Sequence, residues 1–401
     1  MKTQFNALAL TASLLCHGVA LAQSADRPWY VGLTQDFTYD SNVASTSSVE
    51  PSDTISTTSL RAGFNMPFGR QRAFANGTFS HIRYNDFSAR DNNPYSIGAG
   101  LDWSTVERLS GSIALNSQRQ QTEVNVGGFA PVTIRNLEDS NDLEFRARLG
   151  VVTEMAFEVG LGYRRVNFSA PQFADREYKQ DSANLGLVWR PSGILSLSGG
   201  VSAERTRYLA ASLGQPAPDE AKRQDVYVGA EWVPTGASTV NARVSVGSQE
   251  YDLGTAADFE GVTGSLVWNW RPTSRLGLVT TLSRDSGQDS GFLRLTEGSD
   301  VTATDFSQVS NRIGIAAQYE LTGKINLSAA LNYQRRNLVD GFTGLNGRDD
   351  TTGVTLGARW AATRTLAFGC EASSESRTAT GAGSSEYDRN RFGCFGSFTL
   401  D

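Results

Sequence analysis

The chain has 401 residues, with 36 Lys plus Arg against 42 Asp plus Glu for a net charge of −6, and 40 glycines. This mild acidity excludes a general nucleic-acid binder, and the lack of an apolar run of about eighteen residues beyond the N-terminal stretch excludes helical membrane spans. Of the two His, His17 falls in the N-terminal stretch and His81 alone remains beyond it, so a His-paired metal centre is not available, and neither metal nor cofactor is expected.

Residues 1–22 carry Lys2, an apolar stretch from Ala7 to Cys16 and the small-residue ending Ala20-Leu21-Ala22. That is the layout of a cleavable secretory signal. Cys16 follows Ser13-Leu14-Leu15, without the small neighbours a lipidation site needs, and leaves with the signal. Residues 23–401 show no change of texture and are expected to form one domain.

From Trp29 the odd positions read Trp29, Val31, Leu33, Gln35, Phe37, Tyr39 and the even ones Tyr30, Gly32, Thr34, Asp36, Thr38, Asp40. A period of two with one apolar face means a β-strand. The pattern returns at Leu60, Ala62, Phe64, Met66, at Tyr95 to Trp103, and on to the last residues. About eighteen segments are counted, with sixteen as the alternative because 71–84 and 275–285 alternate poorly. Short turns (Arg70-Gln71, Pro191-Ser192, Thr235-Gly236, Pro272-Thr273, Ala362-Thr363) alternate with long polar stretches near 41–56, 120–140, 168–177, 208–222, 286–306 and 338–349. The expected fold is all-β, a transmembrane antiparallel up-and-down barrel of the bacterial outer membrane. An even strand count places both termini in the periplasm, and membrane lipid is the expected surrounding. Proline cannot donate to a strand ladder, and all eleven prolines fall in connections or at strand ends.

Trp-x-Pro turns recur at Trp189-Arg190-Pro191, Trp232-Val233-Pro234 and Trp270-Arg271-Pro272. Trp29, Trp103, Trp189, Trp232, Trp270 and Trp360 all map to the short-turn end, as one interfacial girdle. Tyr39, Tyr84, Tyr95, Tyr178, Tyr208, Tyr251 and Tyr333 map to the opposite rim as a second.

The segment from Leu143 decides which face meets water. Turning Arg146 and Arg148 toward lipid would cost about 2–4 kcal/mol each near the midplane, so they and Glu144 face the lumen. The same parity makes Arg61, Glu158, Arg164, Glu204, Glu231, Arg243, Arg312, Glu320, Arg359, Glu371 and Arg391 lumenal, with Asp36 and Asp102. These charges either pair across strands to hold the wall or contact a solute in a wide aqueous passage. Cys370 and Cys394 lie twelve positions either side of Ala382 on the lipid-facing parity, and in an oxidising envelope they are expected to bridge. For catalysis the one histidine beyond the signal, His81, offers too little, and a non-enzymatic protein is expected.

Phe37-Thr38-Tyr39-Asp40-Ser41-Asn42-Val43, together with the Trp-x-Pro turns and the chain length, resembles the β-barrel porin family of exopolysaccharide operons, the EpsL type. The resemblance implies an outer-membrane part in polysaccharide biosynthesis or export, alongside periplasmic and inner-membrane partners. Two other functions fit a barrel of this texture: a general diffusion porin for small solutes, and a structural or adhesive surface barrel. The sequence does not set the oligomeric state.

Overall fold

A computed structural model of the chain describes residues 28–47, 50–106, 108–122, 126–127, 135–150, 154–211, 216–253, 258–293, 302–340, 345–381 and 384–400. The expected signal, residues 1–22, lies outside them. Eighteen strands make the wall. They are β1 (Trp29–Asp40), β2 (Asp53–Phe68), β3 (Gln71–Tyr84), β4 (Tyr95–Ser104), β5 (Leu109–Gln121) and β6 (Leu137–Leu149). Then come β7 (Met155–Phe168), β8 (Tyr178–Ser192), β9 (Leu195–Tyr208), β10 (Glu220–Thr235), β11 (Ser238–Tyr251) and β12 (Phe259–Trp270). The last are β13 (Leu276–Leu293), β14 (Thr302–Thr322), β15 (Ile325–Asp340), β16 (Asn346–Ala361), β17 (Leu366–Gly381) and β18 (Tyr387–Leu400).

Each strand pairs antiparallel with the next, and β18 pairs with β1 from Arg391–Asp40 to Leu400–Val31, closing the sheet. Closure leaves no edge running the length of the wall to recruit another chain. No helix among the described residues is long and apolar enough to cross a membrane.

The outward face is apolar, with Val228 66 % exposed and Phe157 60 %. Such exposure is unfavourable in water and requires an apolar surrounding. On β8 the outward side chains run Trp189, Leu187, Leu185, Ala183 and then Asp181, and on β10 Trp232, Ala230, Val228, Val226 and then Gln224 and Lys222. Eight residues at about 3.3 Å each, tilted by about 40°, give a belt roughly 20 Å tall, close to the apolar band of an outer-membrane barrel. Above it the outward face turns charged and self-paired, as in Arg205–Glu220 at 2.6 Å, Lys222–Asp252 at 3.0 Å and Arg335–Asp350 at 2.7 Å.

Two expectations need correcting. The stretch 286–306 reads as a loop, yet β13 runs on to Leu293 and β14 starts at Thr302, in register from Leu276–Tyr319 to Leu293–Thr302. Its Ser, Gly and Asp look like turn chemistry, but a continuous ladder to a neighbour overrides local preference. The second correction is the tyrosine belt. Tyr39, Tyr95 and Tyr333 face outward, whereas Tyr84, Tyr178, Tyr208 and Tyr251 share the parity of the lumenal side chains. The poor alternation of β3 has a packing cause: Phe74 points into the lumen and lies over Gly100, where a Cβ would stand 2.4 Å from its ring. Small Ala73, Ala75 and Gly77 take the outward positions instead.

Candidate functional site: the lumen

The charged residues read as lumenal all lie on the inward parity, opposite the exposed apolar side chains: Arg61, Glu144, Arg146, Arg148, Glu158, Arg164, Glu204, Glu231, Arg243, Arg312, Glu320, Arg359, Glu371 and Arg391, with Asp36 and Asp102. Their distribution is uneven. Strands β6 to β11 carry most of the charge, Asp142 included, and the same parity adds Glu138, Arg190, Arg223 and Asp225, which the sequence analysis did not single out. Opposite signs meet along this arc. Arg146 holds Glu144 at 3.1 Å, Arg164 lies 3.4 Å from Asp142, Arg223 binds Asp225 at 2.9 Å, and Arg148 reaches Glu158 with Nε donating at 3.0 Å. The Arg164–Asp142 and Arg148–Glu158 pairs cross between β6 and β7 and hold register, whereas Arg146–Glu144 and Arg223–Asp225 lie within one strand, and all four cancel charge within the wall.

Arg243 is held differently. Its guanidinium stacks 3.7 Å from the centroid of the Tyr227 ring, a cation–π contact. The Tyr227 hydroxyl in turn occupies room left by glycine on two neighbouring strands: a Cβ at Gly186 would lie 2.5 Å from it and one at Gly200 2.7 Å. Among the described residues Arg61, Arg243 and Arg359 make no ion pair within 4 Å.

Strands β12 to β16 present a different surface. Across their middle the inward side chains are Thr263, Ser265, Thr281, Ser283, Gly314, Ala316, Ser328, Ala330, Asn332, Gly353 and Thr355, with Arg312 as the charge at that level. Hydroxyl and amide groups dominate, and Arg336–Asp349 at 2.6 Å closes the long-loop end of the arc.

The long-loop end is built from buried carboxylates that gather backbone N–H groups. Asp53, 2 % exposed, accepts from the amides of Thr54 at 2.6 Å, Asn85 and Phe87 at 3.0 Å and Asp86 at 3.1 Å. Asp40, 1 % exposed, accepts from the Asn42 amide at 3.0 Å and from Arg391 at 2.7 Å. Asn42 donates to the Thr46 and Asp388 carbonyls. Hydrogen bonds to an ionised acceptor are the stronger kind. The stretch from Phe37 to Val43 therefore has a structural duty here: its Asp and Asn fasten the β1–β2 connection to β18. Arg391, read as lumenal, is part of that fastening.

The girdle tryptophans, Trp29, Trp103, Trp189, Trp232, Trp270 and Trp360, sit on outward positions at the short-turn end. Trp268 stacks on Trp270 with centroids 5.3 Å apart. Cys370 and Cys394 are directly opposed on β17 and β18 and joined by a disulfide. His81 accepts from Arg83 Nε at 2.8 Å and lies 2.6 Å from Asn93 Oδ1 on the outward rim.

No family model and no curated protein matches the chain. Among solved structures it is similar to OccK2 (OpdF) of Pseudomonas aeruginosa, with TM-score 0.50 and 11 % identity over 93 % of this chain and 98 % of that one. It is also similar to the same protein in complex with glucuronate, with TM-score 0.50 and 10 % identity over 94 % and 99 % of the two chains. The outer membrane protein OpdK of that organism gives TM-score 0.47 and 12 % identity over 93 % and 98 %. At these identities the likeness is one of fold. The chain is a bacterial outer-membrane β-barrel with a porin-like architecture.

Proposed function

We propose that this barrel is the outer-membrane conduit of an exopolysaccharide assembly system, giving a saccharide chain a polar route across the membrane. The observation that carries the proposal is the lumenal surface: opposite charges cancel within one arc, and the other arc offers mainly hydroxyl and amide groups. A transverse field would sort ions. A lumen neutralised locally and rich in donors and acceptors suits a polyhydroxylated solute, which exchanges water hydrogen bonds for wall hydrogen bonds of similar strength and passes without being trapped. The Phe37-to-Val43 sequence and the Trp-x-Pro turns support the same reading through their resemblance to the EpsL type. In this reading the termini and short turns lie on the periplasmic side, where partners of the assembly system meet them.

A strain lacking the gene is expected to lose secreted polysaccharide and to regain it with the wild-type chain, but not with Thr355→Trp, which narrows the hydroxyl arc. Normal secretion in the deletion strain would sink the proposal. The fold likeness favours a second reading, a general diffusion porin. Liposome swelling with small neutral and charged solutes separates the two, since rapid, unselective uptake belongs to the porin.

A further inference from the structure

We infer that the long-loop mouth of the barrel is closed by a strap, residues 286–293 of β13 on their ladder to β14, with Arg223 of β10 as its latch. The inference concerns passage of any solute and does not depend on the cargo proposed above.

The strap begins where the wall divides. The ladder between β12 and β13 runs from Trp270–Leu278 to Gly264–Arg284 and stops there. β13 nevertheless continues nine residues to Leu293, with β14 as its one neighbour in the wall. Opposite the gap, β12 from Phe259 to Thr263 stays paired with β11. The hairpin has therefore left the wall on its β12 side, and Arg284 fills part of the notch by donating to the Val262 carbonyl at 3.0 Å.

The direction of departure follows from Arg223. This lumenal side chain is anchored to the wall through Asp225 at 2.9 Å and Thr263 at 3.3 Å, yet it also donates to Ser286 Oγ at 3.1 Å and to the Ser286 carbonyl at 3.4 Å, with Asp285 3.7 Å away. β11 and β12 lie between β10 and β13. At about 4.8 Å per strand the path along the wall is roughly 14 Å. An extended arginine spans only about 7 Å from its Cα, counting bonds of about 1.5 Å. With a hydrogen bond of about 3 Å added the reach is still only about 10 Å. Ser286 shares the outward parity of Leu282 and Arg284, so the lumenal guanidinium meets its Oγ where the backbone has passed inside the wall, over the lumen.

The far end of the strap meets the other side of the mouth. Phe292 and Leu293 pair in parallel with Val126 and Gly127, which belong to the connection between β5 and β6. β6 and β13 are seven strands apart in a ring of eighteen, so this pairing spans nearly half the circumference. It is the one parallel pairing among the described strands. Burial gives independent support: Leu338, on the inward parity of β15 near its loop end, is 1 % exposed, and inward Ser310 beside it is 3 % exposed. A lumenal leucine at the mouth of an open bore would be wet, so these side chains have cover from inside.

The test uses the purified full chain in planar bilayers. Cys370 and Cys394 are bonded to each other, which leaves a Val126→Cys/Phe292→Cys pair free for a short thiol cross-linker. The cross-linker is expected to join the pair and hold the barrel in a low-conductance state. Arg223→Gln, which removes a charge-assisted hydrogen bond from the latch, is expected to raise the open fraction by about tenfold. Failure of the two cysteines to cross-link would overturn the strap. So would a wild-type conductance that is already high and unchanged by either the cross-link or Arg223→Gln. A strap that behaves as expected in a strain with normal polysaccharide secretion would leave this inference standing and remove the proposed cargo.

Discussion

The lumen has two arcs that obey the same parity and carry different chemistry. From β6 to β11 the inward face is a mesh of arginines and carboxylates, with Tyr227 lying across two glycine positions beneath Arg243. From β12 to β16 it is mostly small, hydroxylated or amidic, and it includes open glycine positions such as Gly353, where the nearest atom to an added Cβ is 4.0 Å away, beside the tighter Gly357, where Ser328 Oγ would lie at 2.5 Å. The difference teaches that inward orientation and inward packing are separate properties. Alternation of the strand sets the first, whereas the second depends on what the adjoining strands place beside each residue.

The largest effect tests the feature the arcs share. Val228→Arg, on the outward face of the charged arc, is expected to destabilise the barrel by about 2–4 kcal/mol. Thr355→Arg, inward on the hydroxyl arc, should change stability little. Equilibrium unfolding in lipid vesicles reads both, and equal losses would mean that inward and outward are wrongly assigned.

Packing separates the arcs next. An added Cβ at Gly200 would meet the Leu185 carbonyl oxygen at 2.2 Å and the Tyr227 hydroxyl at 2.7 Å, so Gly200→Ala should cost about 1–3 kcal/mol through overpacking. Gly353→Ala has room, and should be neutral or stabilising by a few tenths of a kcal/mol as the strand loses a flexible residue. The same unfolding assay compares them.

A smaller effect concerns charge. Replacing Arg146, Arg148 and Arg164 together with Gln leaves Glu144, Glu158 and Asp142 uncompensated. The reversal potential under a salt gradient should then move toward cation selectivity by a few-fold, on the order of 1 kcal/mol for partly wet charges. Ser328→Ala with Thr355→Val on the other arc should leave ion selectivity where it was. The smallest effect lies within a single pair. Arg148 and Glu158 side chains are 33 % and 25 % exposed, and a double-mutant cycle should return a coupling of about 0.2–1 kcal/mol. A much larger coupling would mean the charged arc is drier than its exposure indicates.

Much of this was legible from the residues. Leu143, Phe145, Ala147 and Leu149 alternating with Asp142, Glu144, Arg146 and Arg148 define a strand and its two faces without any partner, because the pleat sends successive side chains opposite ways. The tryptophans at the short-turn end were legible for the same reason, joined to their regular spacing from Pro-containing turns. The register that opposes Cys370 to Cys394 followed from the centre of one hairpin. Tyr84, Tyr178, Tyr208 and Tyr251 have the height of an interfacial belt, but strand parity turns them to the lumenal side. Asp53 was not legible, because a carboxylate collecting amides from residues 85–87 depends on a neighbouring loop folding back over it.

The sequence by itself determined the barrel: strand number to within two, alternation of turns and loops, the apolar outer belt and the charged interior all follow from a period of two, which is local. The tertiary structure alone decided what fills the mouth. Ser286 to Leu293 carries turn-like residues, and only its ladder to β14, the reach of Arg223 across two strands and the pairing with Val126 and Gly127 make it a strap. Those contacts join residues far apart in the chain, and their free energy comes from hydrogen bonds completed in a closed ring rather than from any pattern along the chain.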